Sequence, residues 1–259
     1  MNKYLILFFL LLPTAYLSSG ERPDLEKFFA NHGTAGCIII YNTSADSIIT
    51  FDSARCKKRF IPASTFKILN SLIALETGIA SDEHYKIPWN GRQYPIESWN
   101  RDHTLATAIE HSVVWYYQTL ARKIGRQRMQ AWIDSAAYGN RKISGRIDQF
   151  WLRGPLEISA HEQIEFLRKL YNNEMSFSQR NMDIVKKIIL VDSTKSYAIR
   201  AKTGFSLEQD IGWWVGWVES KDNVYYFAIN INAPEFSIKY IKAREEITRE
   251  ILQYLNIIE

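Results

Sequence analysis

The sequence predicts an α+β fold: an antiparallel sheet covered by helices, with an all-helical region inserted into the middle of the chain. Two observations predict it. Strand-like runs gather near the ends, at 37–41, 47–51, 196–202, 212–219 and 224–232, while helical periodicities fill the middle. The absence of any repeat, low-complexity tract or Pro/Gly/Ser-rich linker adds a third point, one compact unit.

The first element is a targeting pattern. Lys3 precedes an apolar run over 4–12, Pro13, and the small residues Ser18, Ser19 and Gly20. A short positive region, a roughly 10-residue apolar core and a small-residue exit read as a signal peptide. The run is shorter than the about 20 residues a spanning helix needs. The expectation is a signal peptide over 1–20, a single domain over 21–259, export to a periplasmic or secreted location, and no membrane span after signal removal.

Residues 37–41 and 47–51 form a hairpin around the polar turn 42–46. Cys37 and Cys56, the two cysteines of the chain, flank it. Export permits a disulfide and the hairpin brings the pair into one neighbourhood, but two buried free thiols fit equally well. Residues 64–77 are apolar almost all round, as in a buried helix, with Gly78 placed to end it. Two helices follow, over 104–110 and 114–124, with Ser112 at their junction, then one ending near Ala137. Ser159-Ala160-His161-Glu162 is a capping box opening a helix through Tyr171, and 178–190 is another helix. Strands 212–219 and 224–232 are joined by the turn 220–223. In the tail, Ile238, Ile241, Ile247, Ile251 and Leu255 space one apolar helical face over 238–255.

Charge and motif content exclude several functions. The net charge is +4, and no basic run carries interleaved aromatics, so nucleic acid is not expected as a partner. There is no G-x-G-x-x-G and no P-loop, and the five histidines lack H-E-x-x-H or paired-Cys spacing. Neither a metal nor a nucleotide cofactor is expected.

Ser64-Thr65-Phe66-Lys67 carries the chemistry. Positions i and i+3 share a helix face, so the Lys67 amine reaches the Ser64 hydroxyl. A serine is a poor nucleophile until a neighbour removes its proton, and a lysine does so only when burial disfavours its charged form. Alone, an S-x-x-K reads as an N-cap beside a solvated lysine; the all-round apolar helix argues for a buried one. Lys202-Thr203-Gly204 offers a cation, a hydroxyl and unobstructed backbone, which suit a carboxylate and an amide carbonyl. Ser112-Val113-Val114 and Tyr138-Gly139-Asn140 complete a set whose order and spacing are far more specific than any member.

With Phe150-Trp151-Leu152 and Gly212-Trp213-Trp214-Val215-Gly216-Trp217, these motifs resemble the class D (OXA-type) serine β-lactamases, within the penicillin-recognising serine enzymes, over essentially the whole mature chain. The resemblance implies hydrolysis of the β-lactam amide of penicillin-type antibiotics. It implies Ser64 as the acylated nucleophile and Lys67, N-carboxylated by CO2 or bicarbonate, as general base. Phe66, Val114 and Trp151 would wall the lysine, Trp151 donating its indole N–H to the carbamate. Backbone N–H groups of Ser64 and Phe205 would hold the oxyanion. Ser112, with Lys202 beside it, would relay a proton to the leaving nitrogen, and Thr203 and Arg244 would hold the substrate carboxylate. Tyr138 and Asn140 would shape the pocket floor, and Trp99 would pack in the core.

A penicillin-binding peptidase shares S-x-x-K and K-T-G but has S-x-N where this chain has Ser112-Val113-Val114. A β-lactam sensor acylates without turnover and is preceded by membrane helices, where a signal peptide is expected here. The short loop 206–211 borders the site in the family, which raises but does not settle carbapenem tolerance. Oligomeric state is left open, a homodimer included.

Overall fold

The computed structural model describes residues 20–259, so all but the last residue of the expected signal peptide lies outside the described residues. In chain order the elements begin with β1 (Gly20–Glu21), α1 (Glu26–Asn31), β2 (Gly36–Asn42), β3 (Ser47–Phe51), α2 (Ser53–Lys57) and α3 (Lys67–Glu76). The middle holds β4 (Lys86–Ile87), β5 (His103–Thr104), α4 (Leu105–Glu110), α5 (Val114–Ile124), α6 (Arg126–Ser135), α7 (Ala160–Tyr171) and α8 (Gln179–Ile188). The chain closes with β6 (Leu190–Ser193), β7 (Tyr197–Ser206), β8 (Ile211–Ser220), β9 (Asn223–Asn232) and α9 (Ile238–Tyr254).

The α+β expectation holds. Seven strands form one sheet in the order β1-β3-β2-β9-β8-β7-β6, antiparallel throughout except for the two-residue β1, which joins β3 in parallel. The chain ends build the sheet and the helical middle covers one face. Strand β8 shows why it reads as an uninterrupted apolar run. Trp213, Val215 and Trp217 point into the core shared with the helical region, while Trp214 and Val218 point into the core beneath α1 and α9. Alternate side chains leave a strand on opposite faces, and here both faces are covered. Each buried ring costs about 3–5 kcal/mol to truncate to Ala.

The helix ends follow local chemistry. The Ser159 box forms as its spacing predicts: Glu162 N–H donates to Ser159 Oγ at 3.2 Å and Ser159 N–H to the Glu162 carboxylate at 2.9 Å. Such a cap contributes about 1 kcal/mol. Two boundaries differ from expectation. The helix expected over 64–77 starts as a 3-10 turn over Ala63–Phe66 and becomes α-helical at Lys67. The helix expected over 178–190 ends at Ile188, and Leu190 begins the edge strand β6 against Arg200. Cys37 and Cys56 are buried and not joined in a disulfide. The Cys37 thiol beside it, with burial, pushes the Cys56 pKa up.

Candidate active site

Two strained turns set the reactive groups facing each other. Ala63, just before Ser64, has φ +49°, and Ser112 has φ +54°. Non-glycine residues in this region cost about 1–3 kcal/mol each and persist where their surroundings over-determine them. The Ser64 turn is held from several sides. The Trp213 indole N–H donates to Ile61 O at 3.0 Å, the Thr65 hydroxyl to Pro62 O at 2.8 Å, and the buried Gln163 amide to Thr65 Oγ1 at 2.9 Å. The Ser112 turn is held by the Trp99 indole, which donates to His111 O at 2.9 Å.

Between the turns lies Lys67, with 0 % of its surface exposed. Its Nζ is 2.7 Å from Ser64 Oγ, 2.7 Å from Ser112 O and 2.9 Å from Ser112 Oγ. The Tyr117 ring centroid lies 5.6 Å away. Burial, then the nearby Lys202 charge, hold the Lys67 amine well below the usual lysine range. A neutral amine has two N–H donors and one lone pair. One N–H goes to the Ser112 carbonyl, which can only accept. The lone pair is then free to accept the proton of a serine hydroxyl.

Strand β7 forms the opposite wall. Its pairing with β6 extends only to Arg200, with Ala201 N–H donating to Ile189 O at 2.9 Å; the Lys202–Ser206 edge beyond is left to the cleft. A side chain at Gly204 would meet Pro62 O at 2.9 Å and Thr65 Cγ2 at 3.1 Å, so only glycine lets the strand pass this close to the Ser64 turn. Lys202 Nζ donates to Thr203 Oγ1 at 3.0 Å. Burial, with repulsion from Arg244 and against attraction from Glu245, brings the Lys202 pKa down to about 7. Arg244 is buried, donates from one terminal nitrogen to Gly204 O at 2.8 Å, and leaves its Nε unpartnered among the described residues. Burial lowers it to about 10.

A cleft of about 980 Å3 runs between these walls, with Ser64, Ser112, Val114, Thr203, Phe205 and Arg244 on it. Gly204 lines it as well. Lys67 and Trp151 lie just behind, both fully buried. Trp151 stacks on Phe66, the residue before Lys67, at 5.4 Å between centroids, and its indole N–H has no partner among the described residues. A buried N–H left unpaired costs about 1–3 kcal/mol, which an acceptor placed beside it would relieve.

Tyr138 and Asn140 do not form the pocket floor. The Asn140 amide donates to Pro155 O at 2.9 Å and its carbonyl accepts from Glu157 N–H at 3.1 Å. Tyr138 is buried edge-on to Phe66 at 5.7 Å. The triplet therefore braces the Trp151 loop and Phe66 from behind, the Asn140 side chain through backbone hydrogen bonds and the Tyr138 ring by packing. Trp99, expected in the core, packs against it half-buried and also walls the cleft, its indole satisfied by His111 O. Leu207 and Glu208 stand at the mouth on the loop between β7 and β8. Tyr117, beside the lysine, was missed; its place one turn after Val114 on α5 was the available signal.

The penicillin-binding protein transpeptidase domain family matches residues 29–253. Beta-lactamase OXA-48 of Klebsiella pneumoniae is 45% identical over 240 residues, covering 92% of this chain and 90% of that protein. Beta-lactamase OXA-10 of Pseudomonas aeruginosa is 40% identical over 243 residues, covering 92% and 91%. Among solved structures, the class D β-lactamase YbXI from Nostoc superposes with a TM-score of 0.87 at 42% identity, covering 90% of this chain and 99% of that one. FUS-1 (OXA-85), a class D β-lactamase from Fusobacterium nucleatum subsp. polymorphum, gives 0.88 at 37% identity, covering 93% and 100%.

Proposed function

The chain belongs to the class D β-lactamases, and on that premise we propose how its residues divide the hydrolysis of a β-lactam amide through a serine acyl-enzyme. Ser64 Oγ attacks the lactam carbonyl while its proton passes toward Lys67. Backbone N–H groups of Ser64 and Phe205 receive the developing oxyanion. Ser112 Oγ, already within reach of Lys67 Nζ, delivers a proton to the departing nitrogen. Thr203 and the spare Arg244 donor take the substrate carboxylate, with Lys202 adding positive charge.

The observation that carries this reading is the Lys67 contact set: a fully buried amine 2.7 Å from Ser64 Oγ and 2.9 Å from Ser112 Oγ. The test is to mix the protein with a large molar excess of benzylpenicillin in bicarbonate buffer and follow lactam opening. Many equivalents opened per protein is the expected outcome. One equivalent followed by a halt would turn the reading to a sensor or a penicillin-binding peptidase.

We further propose that Lys67 works as its N-carboxylate. The residues present fit that group. Burial holds the amine well below the usual lysine range, toward the neutral form that reacts with CO2, and the buried Trp151 N–H has no acceptor among the described residues. When formed, the carbamate supplies a carboxylate base for both acylation and deacylation, with Trp151 as its donor. Trp151→Phe keeps the ring and removes the N–H. Turnover is expected to fall about tenfold or more in bicarbonate-free buffer, deacylation more than acylation, with partial recovery on adding bicarbonate. Indifference to both changes would contradict the role.

Lys202 gives a pH signature. Below about 7 it is a cation that attracts the substrate carboxylate; above, the cation is lost. The kcat/KM for benzylpenicillin therefore declines as pH rises through that region. Lys202→Arg, charged throughout, is expected to remove the decline. A profile with the same alkaline limb in both proteins would overturn the assignment.

Export with removal of residues 1–20 completes the reading, supported by the pattern of the N-terminal sequence. Among the described residues no helix is long and apolar enough to cross a membrane. Sequencing the N-terminus of the exported protein checks it: a start near Glu21 is expected.

A further inference from the structure

Beyond Thr203 the cleft has a neighbour. A cavity of about 360 Å3 lies along the same strand, and Thr203 walls both spaces. In three elements the chain passes directly from one space to the other. Glu110 lines the cavity and His111 the cleft; Lys202 lines the cavity and Thr203 both; Glu245 lines the cavity and Arg244 the cleft. The cavity therefore adjoins the place proposed for the substrate carboxylate, on the side away from the loop between β7 and β8.

Its walls have a chemistry of their own. Leu190 and Val191, each 47% exposed, supply the apolar surface, with Ile109 and Trp214 almost fully buried behind them. The carboxylates come from Glu110, whose side chain is 67% exposed, and from Glu245. Among the described residues the Glu245 side chain makes no hydrogen bond or salt bridge, its interactions being with the charges of Lys202 and Arg244. The Glu110 carboxylate stands 4.0 Å from His111 Nε2, an ion pair only when that ring is protonated. In the cavity two carboxylates stand against one lysine, Lys202, whose Nζ is turned to Thr203 Oγ1 on the shared wall, whereas the main cleft is lined by the guanidinium groups of Arg153 and Arg244 with Glu208 as its one carboxylate.

We infer that this cavity is a second substrate subsite, receiving a cationic arm carried on the ring carbon next to the one that bears the substrate carboxylate. The inference rests on the carboxylate lying at Thr203 and Arg244. An arm on the adjacent ring carbon then starts at the shared Thr203 wall. A flat cationic arm sets its ring against the apolar surface and its charge between the carboxylates, while the acyl side chain on the far side of the lactam stays in the main cleft. Penicillins, with no such arm, leave the subsite unused.

The test uses two cephalosporins with one common acyl side chain. One carries an N-methylpyridinium thioether arm, the other a phenyl thioether arm, with benzylpenicillin as the armless reference. The wild type is expected to favour the cationic arm about tenfold in kcat/KM at low salt, and less at 1 M NaCl. The ratio is expected to fall toward unity in E110Q/E245Q; being a ratio, it cancels any general loss in the variant. Val191→Trp, which fills the cavity from its edge, is expected to slow both armed substrates relative to benzylpenicillin. A ratio near unity in the wild type, or one unmoved by E110Q/E245Q while benzylpenicillin is still hydrolysed, overturns the subsite and leaves the catalytic reading standing. Failure of the wild type to turn over benzylpenicillin removes the reading and the subsite together.

Discussion

Ser64→Ala is expected to lower kcat/KM for benzylpenicillin by on the order of 10^4- to 10^6-fold. Ser64 Oγ lies at the meeting of the held turn, the Lys67 amine and the open edge of β7. Ser112 Oγ is the other hydroxyl within reach of that amine. It sits on the opposite turn, while the strand that would hold the substrate passes beside the Ser64 turn. Loss of the Ser64 oxygen therefore leaves binding and removes chemistry. The fold should tolerate the change, because the Ser64 side chain makes no capping hydrogen bond and the turn is fixed through Thr65, Ile61 and Gly204 instead. Thermal unfolding within about 0.5 kcal/mol of wild type, with no acyl adduct by mass spectrometry after mixing with benzylpenicillin, is the expected pair of results. Retained turnover in the well-folded variant would remove Ser64 from the mechanism.

Lys67→Met has an effect nearly as large and of double sign. Turnover is expected to fall by on the order of 10^3- to 10^4-fold, the range lost with a positioned base. Stability should rise at neutral pH. The Lys67 amine has a folded pKa well below its unfolded value of 10.5, so the unfolded chain binds the extra proton between the two. Wild-type stability is therefore highest above pH 10.5 and drops as pH falls through the interval down to the folded pKa. Below that it changes no further on this account. Methionine fills similar space without that penalty. Denaturant midpoints across pH should show the variant ahead at pH 7, with the gap narrowing toward pH 10.5. A variant less stable than wild type at pH 7 would mean that Lys67 is charged and well paired in the folded protein, against the proposed role.

Much of this was legible in the sequence because the residues concerned carry a strong local pattern. The hairpin of β2 and β3, the β8–β9 turn and the Ser159 cap depend on neighbours in the chain, and they form where the pattern puts them. The burial of Lys67 was legible from the company it keeps on an all-apolar helix. Arg244 was legible by the same logic: it falls three residues from both Ile241 and Ile247, so a charged group lies on an apolar face.

What was not legible depends on orientation and on long-range contact. Motif order brings Tyr138 and Asn140 near the site but does not say which way they face. The Asn140 side chain is taken up by Pro155 and Glu157 and the Tyr138 ring by Phe66 and Phe166, contacts far enough along the chain to be invisible locally. Trp99 sits in a polar stretch, and its position on the cleft wall follows from its indole bond to His111 O and the Trp115 indole bond to its own carbonyl. Strand β6 is four residues long and continues a helical run, and only its register against β7 marks it as a strand. The cavity behind Thr203 is assembled from six separate elements and has no sequence signature.

The central claim is that Lys67, buried and neutral beside Ser64, is carboxylated and serves as the base. Carbon-13 NMR of the protein equilibrated with labelled bicarbonate tests it most directly. The account predicts a protein-bound carbamate resonance in the wild type, absent in Lys67→Met and weakened in Trp151→Phe, and growing with bicarbonate in step with turnover. A wild-type protein that hydrolyses benzylpenicillin at full rate after bicarbonate is removed, and shows no such resonance, would contradict it.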